Sequence, residues 1–154
     1  MRIETAEQME QLGARLAAEL RAGDLVLLNG ELGAGKTTLT RGLGAALGVR
    51  GAVTSPTFVL ARTHPREGGA PLVHVDAYRI GSALELDDLD IDFPASIVVV
   101  EWARDMLEGV ADQWLQIDIV RPAGGDPDDE DAPRVVTLTA NGDRWKEWVD
   151  AAGD

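Results

Sequence analysis

The sequence predicts an α/β protein in which a mixed parallel and antiparallel sheet is flanked by helices. Short aliphatic runs of strand length alternate along the chain with segments whose apolar residues recur at helical spacing. Some neighbouring strands are separated by too few residues for a crossover helix, and such strands are expected to pair antiparallel. The length of 154 residues fits one domain, so we expect a single domain over residues 1–154.

The first predicted element is a helix from about Ala6 to Ala22. Thr5-Ala-Glu-Gln8 has the S/T-x-x-E/Q spacing of a capping box, which satisfies backbone N–H groups at a helix start. Apolar residues follow this box at helical spacing: Met9, Leu12, Leu16 and Leu20. The pattern continues up to Gly23.

A buried strand and a second helix are predicted next. The run from Asp24 to Asn29 is rich enough in aliphatic residues for a buried strand, and it leads directly into a glycine-rich loop. From Lys36 to Leu47 the pattern is helical again, and Gly48 is placed to end that helix. The result is a strand, a loop and a helix in succession.

The rest of the chain continues this alternation of strands and helices. Further strands are expected at Phe58 to Thr63, Leu72 to Asp76, Ile97 to Val100, Leu115 to Val120 and Arg134 to Thr139. Helical segments are expected at Leu84 to Phe93, which is acidic and weakly patterned, at Arg104 to Trp114 and at Arg144 to Ala152. Only a short Pro- and Gly-containing segment separates the first two of these strands, and we therefore expect them to pair antiparallel.

The composition excludes several classes of function. The chain has no cysteine, which removes disulfides, thiolate catalysis and cysteine-bound zinc. Only two histidines are present, His64 and His74, so a multi-histidine metal site is not expected. The longest purely aliphatic runs are four residues, and we predict neither a signal peptide nor a membrane span. A cytoplasmic protein is expected.

The charge of the chain is strongly acidic. There are 27 acidic and 14 basic residues, and the formal net charge is -13. Such a surface repels a phosphate backbone, so tight direct binding of nucleic acid is not expected. The densest acidic run, Asp126 to Asp131, lacks the ligand spacing of a calcium loop and is interpreted as a solvated loop.

The motif with the clearest chemistry is Gly30-Glu-Leu-Gly-Ala-Gly-Lys-Thr37, which fits the phosphate-binding pattern G-x-x-x-x-G-K-[ST]. Glycines between a strand and a helix let successive backbone N–H groups face one anion at the helix N-terminus. In this pattern Lys36 reaches the β- and γ-phosphates of a nucleotide, and the Thr37 hydroxyl binds Mg²⁺. The chain is otherwise rich in arginine and has only one other lysine, Lys146. The sequence therefore predicts a P-loop NTPase-like domain that binds ATP and Mg²⁺.

Two acidic residues are candidates for the carboxylate that such a site needs. Asp76 ends the run Leu72-Val-His-Val-Asp76, and Glu101 ends Ile97-Val-Val-Val-Glu101. A carboxylate at the end of a neighbouring strand holds Mg²⁺, and another polar group orients the attacking water. The alternative for either residue is that it begins a solvated loop.

Other candidates are weaker. Thr54-Ser-Pro-Thr-Phe58 is a possible nucleotide-sensing loop, although an ordinary proline turn explains it equally well. Trp102 is either a neighbour of the nucleotide or a buried core residue. His74 shares a strand face with Asp76 by period two, and a hydrogen-bonded structural histidine is the interpretation that we favour for it.

Four segments together resemble the TsaE (YjeE) family of bacterial P-loop ATPases, which act in tRNA threonylcarbamoyladenosine biosynthesis. The loop from Gly30 to Thr38 is close to the family's G-D-L-G-A-G-K-T-T, and Thr54 to Phe58 looks like its S-P-T-[FY] segment. The segment from His74 to Arg79 is similar to its H-x-D-x-Y-R, and Glu101-Trp102 to its E-W pair. All four occur in the family's order and spacing.

The resemblance implies a set of site residues and two cofactors, ATP and Mg²⁺. Thr37 and Glu101 are expected to contact Mg²⁺, and Asp76 is expected near the phosphates. The residues expected to bind ATP are Leu32, Gly33, Ala34, Gly35, Lys36, Thr37, Thr38 and Asp76. Those expected to take part in catalysis are Lys36, Asp76 and Glu101.

The resemblance also implies partners. In the family, the ATPase works with two related proteins that transfer a threonylcarbamoyl group to the adenosine beside the anticodon, and ATP hydrolysis supports their turnover. The sequence departs from the family at the acidic insertion of residues 126–131, which puts a nucleotide contact from that hairpin in doubt. It also has Glu31 where aspartate is common, and the resemblance implies a side chain that points away from the phosphates.

Two other functions compete with this one. A small-molecule P-loop kinase uses the same loop, but such enzymes usually carry an arginine-rich lid, and the arginines between Lys36 and Glu101 are not clustered. A nucleotide-dependent interaction module would bind ATP and hydrolyse it negligibly. Hydrolysis measured with and without partner proteins separates that module from an ATPase.

Overall fold

The computed structural model of the protein describes residues 1–30, 35–49, 61–66, 68–76, 91–101, 112–121 and 133–152. The strands in these ranges are β1 (Arg2–Ile3), β2 (Leu25–Gly30), β3 (Ala61–His64), β4 (Leu72–Asp76), β5 (Ile97–Glu101), β6 (Trp114–Val120) and β7 (Arg134–Asn141). The helices are α1 (Ala6–Ala17), α2 (Lys36–Leu47) and α3 (Lys146–Ala152), with a 3₁₀ helix at Phe93–Ala95. None of these helices is long and apolar enough to cross a membrane.

The strands form one seven-stranded sheet in the order β1-β7-β6-β2-β5-β4-β3. Strands β6, β2, β5 and β4 are parallel to one another at its centre. On one side β7 pairs antiparallel with β6, and β1 pairs antiparallel with β7. On the other side β3 pairs antiparallel with β4. The mixed α/β fold is thus confirmed, and so is the antiparallel pair around Pro65 to Gly69.

The central strands bury side chains on both faces of the sheet. One face, here called the helix face, packs on α1 and α2 and carries Val26, Leu28, Leu72, Ile97, Val99, Leu115, Ile117 and Ile119. The opposite face carries Leu25, Leu27, Val73, Val75, Val98 and Val100. Burial on both sides explains why these strands read as continuous aliphatic runs in the sequence.

Helices α1 and α2 approach each other through two glycines. A Cβ atom on Gly13 would overlap the backbone carbonyl of Leu39, and a Cβ atom on Gly42 would overlap the backbone of Glu10. No side chain larger than hydrogen fits either position without a shift of the helices. This contact fixes the position of α2 against α1, and with it the position of Lys36, the first residue of α2.

Helix α1 has the predicted start but ends earlier than predicted. The Thr5 side chain accepts a hydrogen bond from the Gln8 N–H at 3.1 Å, and Gln8 Oε1 accepts one from the Glu4 N–H at 2.7 Å. The regular helix stops at Ala17 and not at Ala22. The next bonds join residues three apart, as in Glu19 N–H to Leu16 O, so the last turn tightens instead of continuing.

The C-terminal helix starts two residues later than predicted because Arg144 has another role. Its guanidinium donates to both carboxylate oxygens of Asp24, at 3.1 and 3.0 Å, and to the Glu19 carbonyl at 2.6 Å. It also lies 4.4 Å from the centre of the Trp145 ring. These contacts join the end of the chain to the turn that precedes β2.

Other boundaries also differ from the prediction. Trp114 begins strand β6 instead of ending a helix, and residues 104–111 of that predicted helix lie outside the described ranges. Phe93 belongs to the short 3₁₀ helix, while residues 84–90 of the weak helical segment lie outside. Strand β3 begins at Ala61, and residues 58–60 of its predicted extent are likewise outside.

Candidate functional site

The candidate site lies where parallel strands end beside the start of a helix. Gly30 is the last residue of β2, Asp76 the last of β4 and Glu101 the last of β5. Lys36 is the first residue of α2. In open α/β sheets, ligands bind in the crevice at the carboxyl ends of the parallel strands.

Lys36 is the central cation of this edge. The residue is only 6% exposed, and its Nζ donates a hydrogen bond of 2.6 Å to the Gly30 carbonyl. Burial lowers the pKa of the Lys36 ammonium from the ordinary value of 10.5, while the Glu101 and Asp76 carboxylates act in the opposite direction. A buried cation of this kind is stabilised by a further negative group.

The start of α2 is shaped by Gly35. Its φ of 116° lies in the left-handed region, which glycine adopts without steric cost. Among the described residues no side chain caps this helix end, whose first N–H groups have no acceptor within the helix. Thr37 and Thr38 follow in the first turn, and both are half-buried. Uncapped N–H groups at a helix N-terminus form a suitable site for an anion such as a phosphate.

The two predicted acids are brought together by the sheet. Asp76 and Glu101 are direct neighbours in the register of β4 and β5. Glu101 is 2% exposed, and its Oε1 atom has no hydrogen-bond partner among the described residues. A buried carboxylate oxygen of this kind is costly unless a ligand or metal ion satisfies it.

His74 was expected to be a hydrogen-bonded structural histidine, and among the described residues it is not. Its side chain is fully buried, and neither ring nitrogen has a hydrogen-bond partner there. Nε2 lies 3.7 Å from Glu101 Oε2. The shared strand face was visible in the sequence, but the approach to Glu101 depends on the register between β4 and β5.

These residues fit a magnesium ion held partly by phosphate. Mg²⁺ prefers oxygen ligands and is usually bound by one or two protein groups together with substrate phosphates and water. Glu101 offers an unsatisfied carboxylate oxygen, and Thr37 a hydroxyl in the first turn of α2. The described residues contain no group of three or more Asp, Glu, His or Cys side chains that would hold a metal alone.

Several predicted residues lie outside the described ranges. They are Leu32, Gly33 and Ala34 of the glycine-rich loop, the segment from Thr54 to Phe58, Trp102 and the acidic run of residues 126–131. The roles expected for these residues stay predictions.

One polar contact near the site was not predicted. Asn29, next to the end of β2, donates from Nδ2 to Asp118 Oδ1 at 3.1 Å, and Gln116 donates from Nε2 to Asp118 Oδ2 at 3.0 Å. The three residues lie on the opposite face of the sheet from α1 and α2. A possible signal was the alternation of polar Gln116 and Asp118 with apolar residues in β6. The contact ties β2 to β6 directly before the glycine-rich loop.

The fold and the site together define an α/β protein whose candidate site lies between the carboxyl ends of parallel strands and the start of a helix. Residues 3–126 match the model of the family described as threonylcarbamoyl adenosine biosynthesis protein TsaE. The chain belongs to the TsaE family.

Relatives and a solved structure agree with this assignment. A tRNA threonylcarbamoyladenosine biosynthesis protein TsaE from Streptomyces coelicolor is 58% identical over 89% of this chain and 93% of its own length. The protein of the same name from Bacillus subtilis is 37% identical over 91% of this chain and 84% of its own. The crystal structure of Bacillus subtilis YdiB matches the fold with a TM-score of 0.75 at 31% identity, covering 100% of this chain and 95% of that one.

Proposed function

We propose that this protein is a Mg²⁺-dependent ATPase that supports a threonylcarbamoyl-transfer complex in the modification of the tRNA adenosine next to the anticodon. The observation that carries the proposal is the buried Lys36 ammonium beside the end of β2, near the unsatisfied Glu101 carboxylate and near Asp76. Family membership supplies the pathway.

Each residue of the site has a distinct part in this proposal. Lys36 neutralises the β- and γ-phosphates, and the first N–H groups of α2 donate to their oxygens. Thr37 and Glu101 would hold Mg²⁺, which supplies positive charge to the phosphate oxygens. Asp76 pairs with Glu101 in the register of β4 and β5 and would orient water near the phosphates. Leu32, Gly33 and Ala34 would complete the phosphate loop.

The proposal includes partners and a place of action. We infer that the chain acts on tRNA through two related transfer proteins in the cytoplasm, because a net charge of -13 disfavours direct binding of a phosphate backbone. ATP can drive a cycle only if the partners distinguish the ATP-bound form from the ADP-bound form.

The test is ATP hydrolysis measured with and without the purified transfer proteins. We expect weak turnover by the chain alone and clear stimulation by the complex. Binding of ATP without hydrolysis in either condition would identify an interaction module instead. Formation of ADP that depends on a small-molecule acceptor would identify a kinase.

A further inference from the structure

We propose that His74 is a positioning residue, which donates a hydrogen bond from Nε2 to Glu101 and fixes the carboxylate that receives Mg²⁺. The proposal rests on the proposed function, because it assigns a role to a neighbour of the candidate metal ligand. His74 itself is not placed in contact with ATP or the metal ion.

The first argument is burial. His74 is 0% exposed and Glu101 is 2% exposed, so bulk water does not reach either residue to form hydrogen bonds. Among the described residues, neither ring nitrogen of His74 has a hydrogen-bond partner. The same holds for the Oε1 atom of Glu101. Buried polar groups are costly unless they are paired, and a hydrogen bond from His74 Nε2 to Glu101 Oε2, 3.7 Å away, would pair one of the two ring nitrogens.

The second argument is geometry. His74 pairs with Val99 in the register of β4 and β5, and Glu101 is two residues further along β5. By period two, His74 and Glu101 therefore point to the same face of the sheet. Nε2 and Oε2 are 3.7 Å apart, slightly beyond a hydrogen bond. Hydrogen bonds of catalytic groups are often long before the ligand binds.

The third argument is chemical. A carboxylate that binds a metal with one oxygen can rotate unless another group holds its second oxygen. A donor on Oε2 leaves Oε1, the oxygen without a partner, for the ion. Residues that hold metal-binding carboxylates in this way typically affect metal affinity or activity by about 10- to 100-fold.

The first experiment locates the proton on the imidazole in the protein without nucleotide. The chain has only two histidines, so ¹⁵N-histidine NMR resolves both, and a His64→Gln variant assigns them. We expect the proton of His74 on Nε2, and we expect its resonance to move in Glu101→Gln while that of His64 stays. A His74 ring protonated only on Nδ1, or one insensitive to Glu101→Gln, would overturn the proposal.

The second experiment measures ATP affinity with Mg²⁺ and with EDTA. His74→Leu removes the donor, whereas His74→Gln retains a terminal N–H group at a similar reach. We expect His74→Leu to lose about tenfold or more of the Mg²⁺-dependent gain in affinity, and His74→Gln to recover most of it. The EDTA affinity should change little in either variant.

The matched control is His64→Leu, which replaces the other buried histidine, 6% exposed and located in β3. It should keep the full effect of Mg²⁺ even if its thermal stability falls. If His64→Leu lost as much of the Mg²⁺ effect as His74→Leu, His74 would have only a structural role and the proposal would be wrong. Absence of any Mg²⁺ effect in the unmodified protein would instead refute the proposed function, while the NMR experiment still decides the His74–Glu101 pair.

Discussion

At the scale of single residues, the most informative side chain is Lys36. This lysine is buried beside the end of β2, and its Nζ donates a hydrogen bond of 2.6 Å to the Gly30 carbonyl. The lowered pKa of its ammonium shows that burial outweighs the attraction of Glu101 and Asp76. Perturbed lysines in such positions are typical of functional sites.

Replacement of Lys36 by alanine is expected to abolish ATP binding. The substitution removes the fixed cation that neutralises the phosphates, and no other described lysine lies at this edge of the sheet. Calorimetric titration of the folded variant with MgATP checks this. Arg41→Ala, an exposed substitution on the same helix, is the control and should bind as the unmodified protein does. Unchanged affinity in Lys36→Ala would contradict the assignment.

The same lysine should make stability depend on pH in a defined direction. The pKa of folded Lys36 lies below the value of 10.5 expected in the unfolded chain. Between these two values the unfolded state binds a proton that the folded state does not, so the free energy of unfolding rises with pH. Below the folded pKa both states are charged, and the contribution is constant.

The measurement is the difference in unfolding free energy between the unmodified protein and Lys36→Met, both without nucleotide. The difference isolates Lys36 because the two chains share their other titratable groups. It should increase in favour of the unmodified protein as pH rises toward 10.5 and level off above it. A difference that falls over this range would show that the carboxylates, and not burial, dominate.

At the scale of elements, the contact between α1 and α2 positions the start of α2, which carries Lys36. Gly13 and Gly42 let the two backbones meet, and Gly35 at the start of α2 lies against Met9 of α1, with an added Cβ 3.1 Å from Met9 Cε. The position of Lys36 therefore depends on close helix packing as well as on the glycine-rich loop.

Gly42→Ala is expected to destabilise the fold by about 2 kcal/mol, as inserted carbon atoms do in packed cores. In an exposed helix the same change would stabilise by up to about 1 kcal/mol, so the sign of the effect is diagnostic. Denaturant unfolding measures it. Gln11→Ala, on the exposed side of α1, is the control and should change stability by less than about 0.5 kcal/mol. Equal or greater stability of Gly42→Ala would contradict the observed packing.

Local signals predicted some elements well and others poorly. Helix α2 has the predicted bounds because Gly48 follows it. Strand β4 has the predicted bounds because Asp76 ends its aliphatic run. Strand β1 was not predicted, since two residues carry no pattern and its partner β7 is distant in sequence. The shift of α3 depends on the contact of Arg144 with Asp24, which no local pattern contains.

The candidate site shows the same division. Lys36, Asp76 and Glu101 could be found in the sequence because a motif or the end of an aliphatic run marks each of them. Their proximity follows from the parallel order of β2, β5 and β4. The 3.7 Å distance from His74 to Glu101 could not be predicted, because it requires the register between two strands.

At the scale of the whole molecule, charge and partners are linked. A net charge of -13 disfavours direct binding of tRNA, although the family is named for a tRNA modification. The charge and the family's pathway are compatible if the chain acts through other proteins. Partner binding then has to depend on the nucleotide, because a ligand shifts an equilibrium only by its differential affinity.

We expect weak or absent binding of tRNA by the purified chain at physiological salt, and association with the transfer proteins that differs between ATP and ADP. Electrophoretic mobility shift measures the first, and surface plasmon resonance with each nucleotide measures the second. Equal partner affinity with ATP, with ADP and without nucleotide would rule out a switch. Tight binding of tRNA by the chain alone would contradict the charge argument.

The central claim is that the end of β5 supplies the carboxylate used in ATP hydrolysis. The most direct test is single-turnover hydrolysis of bound ATP by Glu101→Gln in the presence of the transfer proteins, with ATP affinity measured in parallel. A carboxylate that acts on the developing charge of the transition state should affect the rate beyond its effect on the affinity. We predict that the Mg²⁺-dependent affinity falls by about tenfold, as in His74→Leu, and that the rate of hydrolysis falls by a further factor of at least about ten. Reduced affinity with an unchanged rate of hydrolysis would contradict the account and leave Glu101 a binding residue only.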